Sequence, residues 1–548
     1  GSDAELDVVD IFLVGASETL TIAASKATGK TITADGTGGN VVITDAVAAT
    51  QYDFSNVTAD EGTVTIQFAT GGILNPSTTF GAATDYHVLR DQTLTLSASQ
   101  ANAETITGEA SNSGITTGGS VVITALDAAT SYNLSSVSAG AAGGGGTVGS
   151  VTATISTDTQ FNSSTDLGNV ALTVSNGVTL TTTEAQADAR AIAGQGNLIV
   201  NAVADATSFA NVTVSGTVTA KVTAASAASV DLSGNAKVND NTVDVIDVAG
   251  GKTVTLDQSL FDDAAGAGLS VTGTGSVNVS GALQGSSYDF SDIASGATTT
   301  VTYTSNGALS SVFTGVDTIS LAAGANSMSA VQADGIVFAG AGTMEVSVNA
   351  AGAQALSGTT GDDSFTADTD AATVDTLDIS QGGNDTIIFT TAANGFTVTG
   401  FDVNGAGGND VLNLSALPDL RNEAQVGDEG FQYYSNTDTA IVEEVVIFTE
   451  LGVGSAVGIA SIFNFAIGGT TINALLSFSA DDGDQNDMLF VIANDADTAT
   501  NVWRWQDGDD NGNVLASELS LIATLEGIQK SDLAGTGTEF LGSTEFVF

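Results

Sequence analysis

The residues best able to do chemistry lie near the C-terminal end. Asp507, Asp509, Asn511, Gly512, Asn513 and Glu518 satisfy the spacing D-x-[DN]-x-[DN]-G-x5-E in full. Side-chain oxygens of Asp507, Asp509 and Asn511 would converge on one hard cation. Gly512 permits the sharp turn, Asn513 offers its backbone carbonyl, and Glu518 can bind through both carboxylate oxygens. Val514 stands where an apolar residue would pin such a loop. The chemistry this pattern predicts is Ca2+ ligation by oxygen.

Three further segments share a looser pattern, G-x-D-x-U with U apolar: Gly361 with Asp363 and Phe365, Gly383 with Asp385 and Ile387, and Gly408 with Asp410 and Leu412. Glycine lets the turn expose its carbonyls, aspartate supplies an anionic oxygen, and the apolar residue buries the strand beneath. The first copy follows the nonapeptide G-G-x-G-x-D-x-U-x with Thr359 in place of the second glycine. Asp363, Asp385 and Asp410 are neither nine nor eighteen residues apart, so isolated half-sites are expected, not an uninterrupted calcium roll. An ordinary Gly-Asn-Asp turn accounts for the same residues. The acids Asp481, Asp482, Asp484 and Asp487 fit either another site or a solvated turn.

These residues must be held by elements that the surrounding pattern defines. Asn501 to Trp505 alternates as a strand, and Glu518 to Leu525 reads as a short amphipathic helix, which places the 507–518 loop between strand and helix. Upstream, the chain repeats. Tyr52, Tyr132, Phe209 and Tyr288 recur at spacings of 80, 77 and 79 residues. Eleven residues before each lies the first apolar residue of a β-like segment: Val41, Val121, Leu198 and Val277. Thr19-Leu20-Thr21-Ile22, Thr93-Leu94-Thr95-Leu96 and Thr253-Val254-Thr255-Leu256 open successive units, and Thr318-Ile319-Ser320-Leu321 begins a shortened fifth. The four aromatics read as core residues, one per unit.

Each unit reads as several short strands punctuated by Gly, Asn, Asp and Ser. The expected fold is all-β: a repetitive parallel β-solenoid-like body, with tandem β-sandwich domains as the alternative, followed by a calcium-binding C-terminal β region with a short helix. Small side chains and strands about ten residues apart favour stacked coils. The expected organisation is an N-terminal strand over 1–15, a repeat body over 16–357, aspartate-bearing repeats over 358–415, and a C-terminal region over 416–548. The segment Leu6 to Val14 is strongly β-prone and either pairs with a neighbouring subunit or caps the first coil.

Composition narrows the function. Of 548 residues, 10 are Lys or Arg and 63 are Asp or Glu, for a formal net charge of −53. No basic footprint exists to neutralise nucleic-acid phosphates, and anionic membranes are disfavoured for the same reason. Most carboxylates lack a protein cation, so water, salt or divalent metal must compensate. The chain has no cysteine, which excludes disulfides and thiolate zinc sites. No apolar run reaches the roughly 18 residues of a membrane-spanning helix, so no transmembrane segment is expected. The start, Gly1-Ser2-Asp3, fits a cloning scar, a processed end or a fragment boundary. The single His87 has no second metal-binding partner type around it, and no nucleophile elbow, phosphate loop or zinc-protease signature occurs, so no enzyme is expected.

The Gly-Asp repeats, the stretch Leu489 to Asp497, the continuation through Trp503-Arg504-Trp505 and the 507–518 loop resemble those of bacterial RTX proteins exported by type I secretion. Thr544-Glu545-Phe546-Val547-Phe548 resembles their uncleaved C-terminal secretion signal. Residues 15 to 355 resemble, more loosely, the Thr/Ala/Gly-rich bodies of secreted surface-layer proteins. The resemblance implies export as an unfolded chain from a Gram-negative cell and folding outside as calcium binds. Sparse, widely spaced nonapeptides depart from the family pattern.

The leading expectation is an extracellular structural protein that folds on calcium and self-assembles into a bacterial surface layer, sheath or filament. Its expected partner is itself, with outer-membrane surface polysaccharide as a candidate attachment. The alternative is a calcium-rigidified adhesin stalk that binds a glycan or a surface. A secreted hydrolase is the third class.

Overall fold

The structure is a computed structural model. It describes residues 8–547 except 35, 37, 81–83, 113–115, 129, 189, 241, 262–268, 295, 297, 312, 348–352, 367–373, 391–395, 404–408, 418–430, 435–444, 453–465, 468–469, 472–486, 495, 507–513 and 534–545. The chain forms two compact units, one comprising Gly1–Val254 with Gly268–Gly275 and the other Thr255–Ala267 with Ser276–Phe548. Among the described residues no helix is long and apolar enough to cross a membrane.

Unit 1 is a parallel β-solenoid. Successive strands alternate between two sides of the coil, so residues one coil apart pair in parallel. One side carries Thr19–Ala23, Asn40–Val47, Val64–Thr70, Thr84–Val88, Thr105–Gly108 and Val137–Ser138. On the other side, Thr93–Ser97, Ser120–Thr124, Val151–Ile155, Ala171–Val174, Ile192–Gly194 and Val212–Val214 form a second sheet. From Thr159–Gln160 onward a third sheet, through Thr179–Thr183, Asn197–Asn201 and Val218–Val222, takes the first one's place in the alternation. Tandem sandwiches are thereby excluded, since those pack antiparallel strands.

The sequence builds these coils by period-two alternation. In Asn40–Val47, Val41 and Ile43 are buried while Asn40, Val42 and Thr44 face outward. Stacked Val, Ile and Leu fill the interior, and Tyr52, Tyr132, Phe209 and Tyr288 are all buried as expected. Tyr52 stacks on Phe54 at 5.2 Å, and its hydroxyl accepts from Val47 N at 3.3 Å. Coils vary in length, from 18 residues between Thr300 and Thr318 to 31 between Ile106 and Val137.

Four-residue helical turns sit at corners of the coils: Ala24–Ala27, Ala98–Ala101, Glu184–Ala187 and Ala236–Asn239 in unit 1, and Ala330–Ala333 in unit 2. Ser97 with Gln100 and Thr183 with Gln186 form capping boxes. Gln186 Nε2 then donates to Asn162 O of the preceding coil at 2.7 Å, tying the corner to its neighbour.

Unit 2 contains parallel sheets of the same kind, through Ser276–Ala282, Thr299–Tyr303, Thr318–Leu321 and Val337–Gly340, and through Ala325–Ser329, Thr343–Ser347, Ser364–Thr366, Thr386–Ile388 and Val411–Asn413. Phe546–Val547 pairs in parallel with Leu412–Asn413 and completes the latter sheet among the described residues. The C-terminal region departs from the coil pattern. Leu519–Glu526 lies parallel to Phe396–Thr399 and antiparallel to Ala499–Gln506, which is itself antiparallel to Asp487–Ala493.

One sequence-based expectation is corrected here. The segment expected to be an amphipathic helix from Glu518 is a strand, Leu519–Glu526, preceded by a single 3-10 turn at Ala516–Glu518. Its Leu519, Ile522, Ala523 and Leu525 are buried against neighbours on both sides, and sheet pairing wins over local helical spacing. The short α-helix of this region is Lys530–Leu533.

Candidate functional site

Consecutive strands of one sheet in unit 2 bring three of the predicted aspartates together in a ladder. Glu345 pairs with Ser364, Ser364 with Thr386, and Thr386 with Val411. Asp363, Asp385 and Asp410 immediately precede the last three strands, so they stack one coil apart. All three are buried, at 2%, 1% and 2% exposure. Parity explains this: Asp363 and Phe365 are two residues apart, so a strand that buries Phe365 turns Asp363 inward as well.

Each carboxylate caps the coil before it. Met344 N donates to Asp363 Oδ1 at 2.7 Å, Asp363 N to Asp385 Oδ1 at 2.8 Å, and Asp385 N to Asp410 Oδ1 at 2.8 Å. Asp363 Oδ2 accepts from Thr359 N at 2.5 Å, and Asp410 Oδ2 from Asp402 N at 2.6 Å. Asp385 Oδ2 is buried with no hydrogen-bond partner. The central carboxylate is therefore the least satisfied.

The electrostatics follow the donor count. Burial raises the pKa of Asp363 in spite of its N–H donors from Thr359 and Met344. Burial pushes Asp410 up to about 6. Asp385, with burial as the largest cause and the neighbouring charges of Asp363 and Asp410 adding to it, is pushed up to about 8.

Two glycines of the motif have different duties. Gly383 adopts φ +130°, and a Cβ there would collide with the Gly361 carbonyl oxygen. Gly361 N donates to Thr359 Oγ1 at 3.0 Å. Thr359, the departure from the nonapeptide, is a residue whose role the sequence did not reveal. It is fully buried, with Oγ1 2.7 Å from Gly342 O and 3.0 Å from Asp363 Oδ1. A hydroxyl thus occupies space beside the first carboxylate that glycine would leave open.

A second ladder, also unanticipated, runs along the outside. Asp362 Oδ1 accepts from Asn384 N at 2.8 Å and from Asn384 Nδ2 at 3.0 Å, and Asn384 Oδ1 accepts from Asn409 N at 3.0 Å. The signal was present in the sequence as an Asx residue directly before each motif aspartate.

Of the predicted C-terminal loop, Asp507, Asp509, Asn511 and Asn513 lie outside the described residues, as does Gly408. Glu518 is described. Its Oε2 accepts from Trp505 Nε1 at 3.1 Å and from Leu515 N at 3.1 Å. Both tryptophans are buried, Trp505 completely. His87 lies on Thr84–Val88, half-buried.

Among the described residues no three acidic or histidine side chains gather in a way that could hold a metal ion. The ladder spreads its carboxylates over successive coils and aims them at backbone N–H groups. Its free capacity is the orphaned Asp385 Oδ2, a hard anionic oxygen of the kind that Ca2+ accepts. No protein-family model, curated protein or solved structure matches this chain.

Proposed function

We propose that this chain is an extracellular structural protein of the RTX type, exported from a Gram-negative cell, which folds as it binds calcium and self-assembles into a surface layer, sheath or filament. The observation that carries this reading is the outermost strand of unit 1. Ile11–Val14 pairs on one edge with Thr31–Ala34 and, among the described residues, is last in its sheet. Val8, Ile11 and Leu13 are 82%, 63% and 79% exposed. Proteins that stay monomeric blunt such edges with charge or proline, whereas an apolar open edge is a template for a further strand.

Calcium enters the reading through the ladder. Asp385 holds a proton at neutral pH in the absence of a better cation, and a divalent ion at its orphaned oxygen would replace that proton. The 507–518 loop would supply the stronger oxygen cage, with Glu518 drawn from its contacts with Trp505 and Leu515. Surface polysaccharide as an attachment partner remains part of the proposal.

Electron microscopy and sedimentation of the purified protein, with calcium and after chelation, test it. Ordered assemblies are expected in calcium and dispersal in chelator. Protein that stays monomeric in calcium, or assemblies indifferent to chelation, would overturn the reading.

A further inference from the structure

The aspartate ladder of unit 2 repeats one device three times, and its copies differ at one atom, the second oxygen of each carboxylate. In every copy Oδ1 accepts the backbone N–H of the coil before it: Met344 N for Asp363, Asp363 N for Asp385 and Asp385 N for Asp410. Oδ2 has no such common partner. Asp363 Oδ2 accepts from Thr359 N, four residues earlier, and Thr359 Oγ1 stands 3.0 Å from Oδ1 of the same carboxylate. Asp410 Oδ2 accepts from Asp402 N. Asp385 Oδ2, on a residue 1% exposed, accepts from nothing.

Local sequence explains the exception. The residue four before Asp385 is Gln381, and its side chain reaches backward, with Nε2 donating to Phe338 O at 2.8 Å and to Gly358 O at 3.1 Å. Gly382 and Gly383 follow with φ +91° and +130°, a conformation that glycine adopts freely, and Gly382 N donates to Ile379 O at 3.3 Å. The side chain at the Thr359 position and the amide after it are thus spent elsewhere. Gly383 also leaves room. A Cβ there would lie against Gly361 O and 3.0 Å from Asp385 Oδ1, so its absence makes a cradle bordered by a backbone carbonyl and the central carboxylate.

Carbonyl and carboxylate oxygens are the ligands that hard divalent cations take. An N–H already aimed at a carboxylate oxygen does the opposite, since it uses the lone pair and presents positive partial charge to an incoming ion. By that criterion the first and third copies are closed and the middle one is open.

We infer that the ladder is a single-ion site, in which Asp385 and the Gly361 carbonyl take one divalent cation while Asp363 and Asp410 are structural carboxylates that hold the coils on either side. The inference rests on the calcium reading above and deepens it. It departs from an ion at every Gly-Asp turn, which the sequence pattern alone suggests. Gln381, Gly382 and Gly383 select the coil that binds, and Thr359 closes the coil before it.

Equilibrium dialysis of the full chain against CaCl2, counting bound ions per chain at saturation, tests this. Asp385→Asn is expected to hold one ion fewer than the wild type. Gly383→Ala, which fills the cradle and keeps every carboxylate, is expected to lose the same ion. Asp363→Asn and Asp410→Asn should keep the wild-type count, with affinity weakened by no more than about tenfold through the lost neighbouring charge. Circular dichroism establishes that each variant is folded, and if Asp363→Asn is not, Asp410→Asn supplies the comparison. An unchanged count in Asp385→Asn, or an ion lost from either flanking variant in its folded form, would overturn this inference alone. A wild-type chain that binds no calcium would remove the calcium reading and this inference with it.

Discussion

Aspartates join coil to coil at the Asp53 corner of unit 1 and in the ladder of unit 2, but under opposite electrostatic conditions. In unit 1, Asp53 sits in solvent and its Oδ1 accepts from Ser55 N at 3.1 Å, Ser55 Oγ at 2.6 Å and Thr79 Oγ1 at 2.7 Å. The Ser55 hydroxyl, followed by that of Thr79, holds its pKa below the usual carboxylate value. In the ladder of unit 2 the carboxylates are buried, Asp385 and Asp410 have fewer donors than Asp53, and burial raises all three. Well-solvated carboxylates with ample donors favour folding when charged, and buried carboxylates with too few favour it when protonated. The Asp53 corner, and its counterpart Asp289 in unit 2 whose pKa is held down by the Ser291 hydroxyl, should therefore answer acid and base in the direction opposite to the ladder.

The largest expected effect tests the part of unit 1 that owes nothing to charge. Phe209 is fully buried, so Phe209→Ala should cost about 3–5 kcal/mol. Urea unfolding should give the same loss at pH 5 and pH 8. A loss that changed with pH would mean that unit 1's core and its corner carboxylates are not separable.

Next is Gly383→Ala, which places a Cβ against the Gly361 carbonyl in left-handed backbone. A cost of about 1–3 kcal/mol is expected from the backbone conformation alone. Hydrogen exchange should show faster exchange for the amides of Asp363 and Asp385 and unchanged protection in unit 1. Loss of protection spread evenly over both units would break the comparison.

Asp385→Asn sharpens it, because the amide keeps an oxygen for Asp363 N and removes the charge. A carboxylate whose folded pKa is raised above an unfolded value near ~3.9 contributes stability that is complete below that value and is lost as pH rises through the folded one. For Asp410 the loss runs up to a folded value of about 6 and for Asp385 up to about 8. Without calcium, the ladder region of unit 2 should therefore weaken from pH 4 to pH 9. Asp385→Asn should be more stable than wild type by about 1–3 kcal/mol at pH 9 and little changed at pH 5. Calcium should recover the wild type at pH 9 and have a smaller effect on the variant. An alkaline-stable wild type would show that the ladder's carboxylates are better satisfied than their partners indicate.

Much of this was legible in the sequence, for identifiable reasons. Tyr52, Tyr132, Phe209 and Tyr288 with their upstream β segments revealed the repeat, because each must fill the same place in a core of small side chains. The parallel solenoid followed from short, evenly spaced strands. That equivalent strands of successive repeats, Asn40–Val47 and Ser120–Thr124, lie in different sheets did not, because coil length varies and only strand register reveals it. The motif aspartates were found by spacing, but their inward direction was overlooked although parity with Phe365, Ile387 and Leu412 encodes it. Leu519–Glu526 was misread because its apolar residues satisfy a helical period as well as a buried strand, and the pairing that decides between them involves Ala499–Gln506 and Phe396–Thr399.

The smallest effect is the most discriminating, since unit 1 contains its own control. Asp53 and Asn133 occupy the same corner in successive repeats, and Asn133 Oδ1 accepts from Ser135 N at 3.2 Å and Ser135 Oγ at 2.7 Å. One side chain titrates and the other does not. The lowered pKa of Asp53 means that its contribution is present above the unfolded value near ~3.9 and lost as pH falls through the folded one. Asn133→Ala should cost about 0.5–1 kcal/mol at every pH, the worth of an ordinary exchanged hydrogen bond. Asp53→Asn should be close to neutral at pH 3 and destabilising at pH 6, measured by the unfolding midpoint of unit 1. If Asp53→Asn and Asn133→Ala instead showed parallel pH profiles, the corner hydrogen bonds would be indifferent to charge, and the opposition between corner and ladder would reduce to burial in the ladder alone.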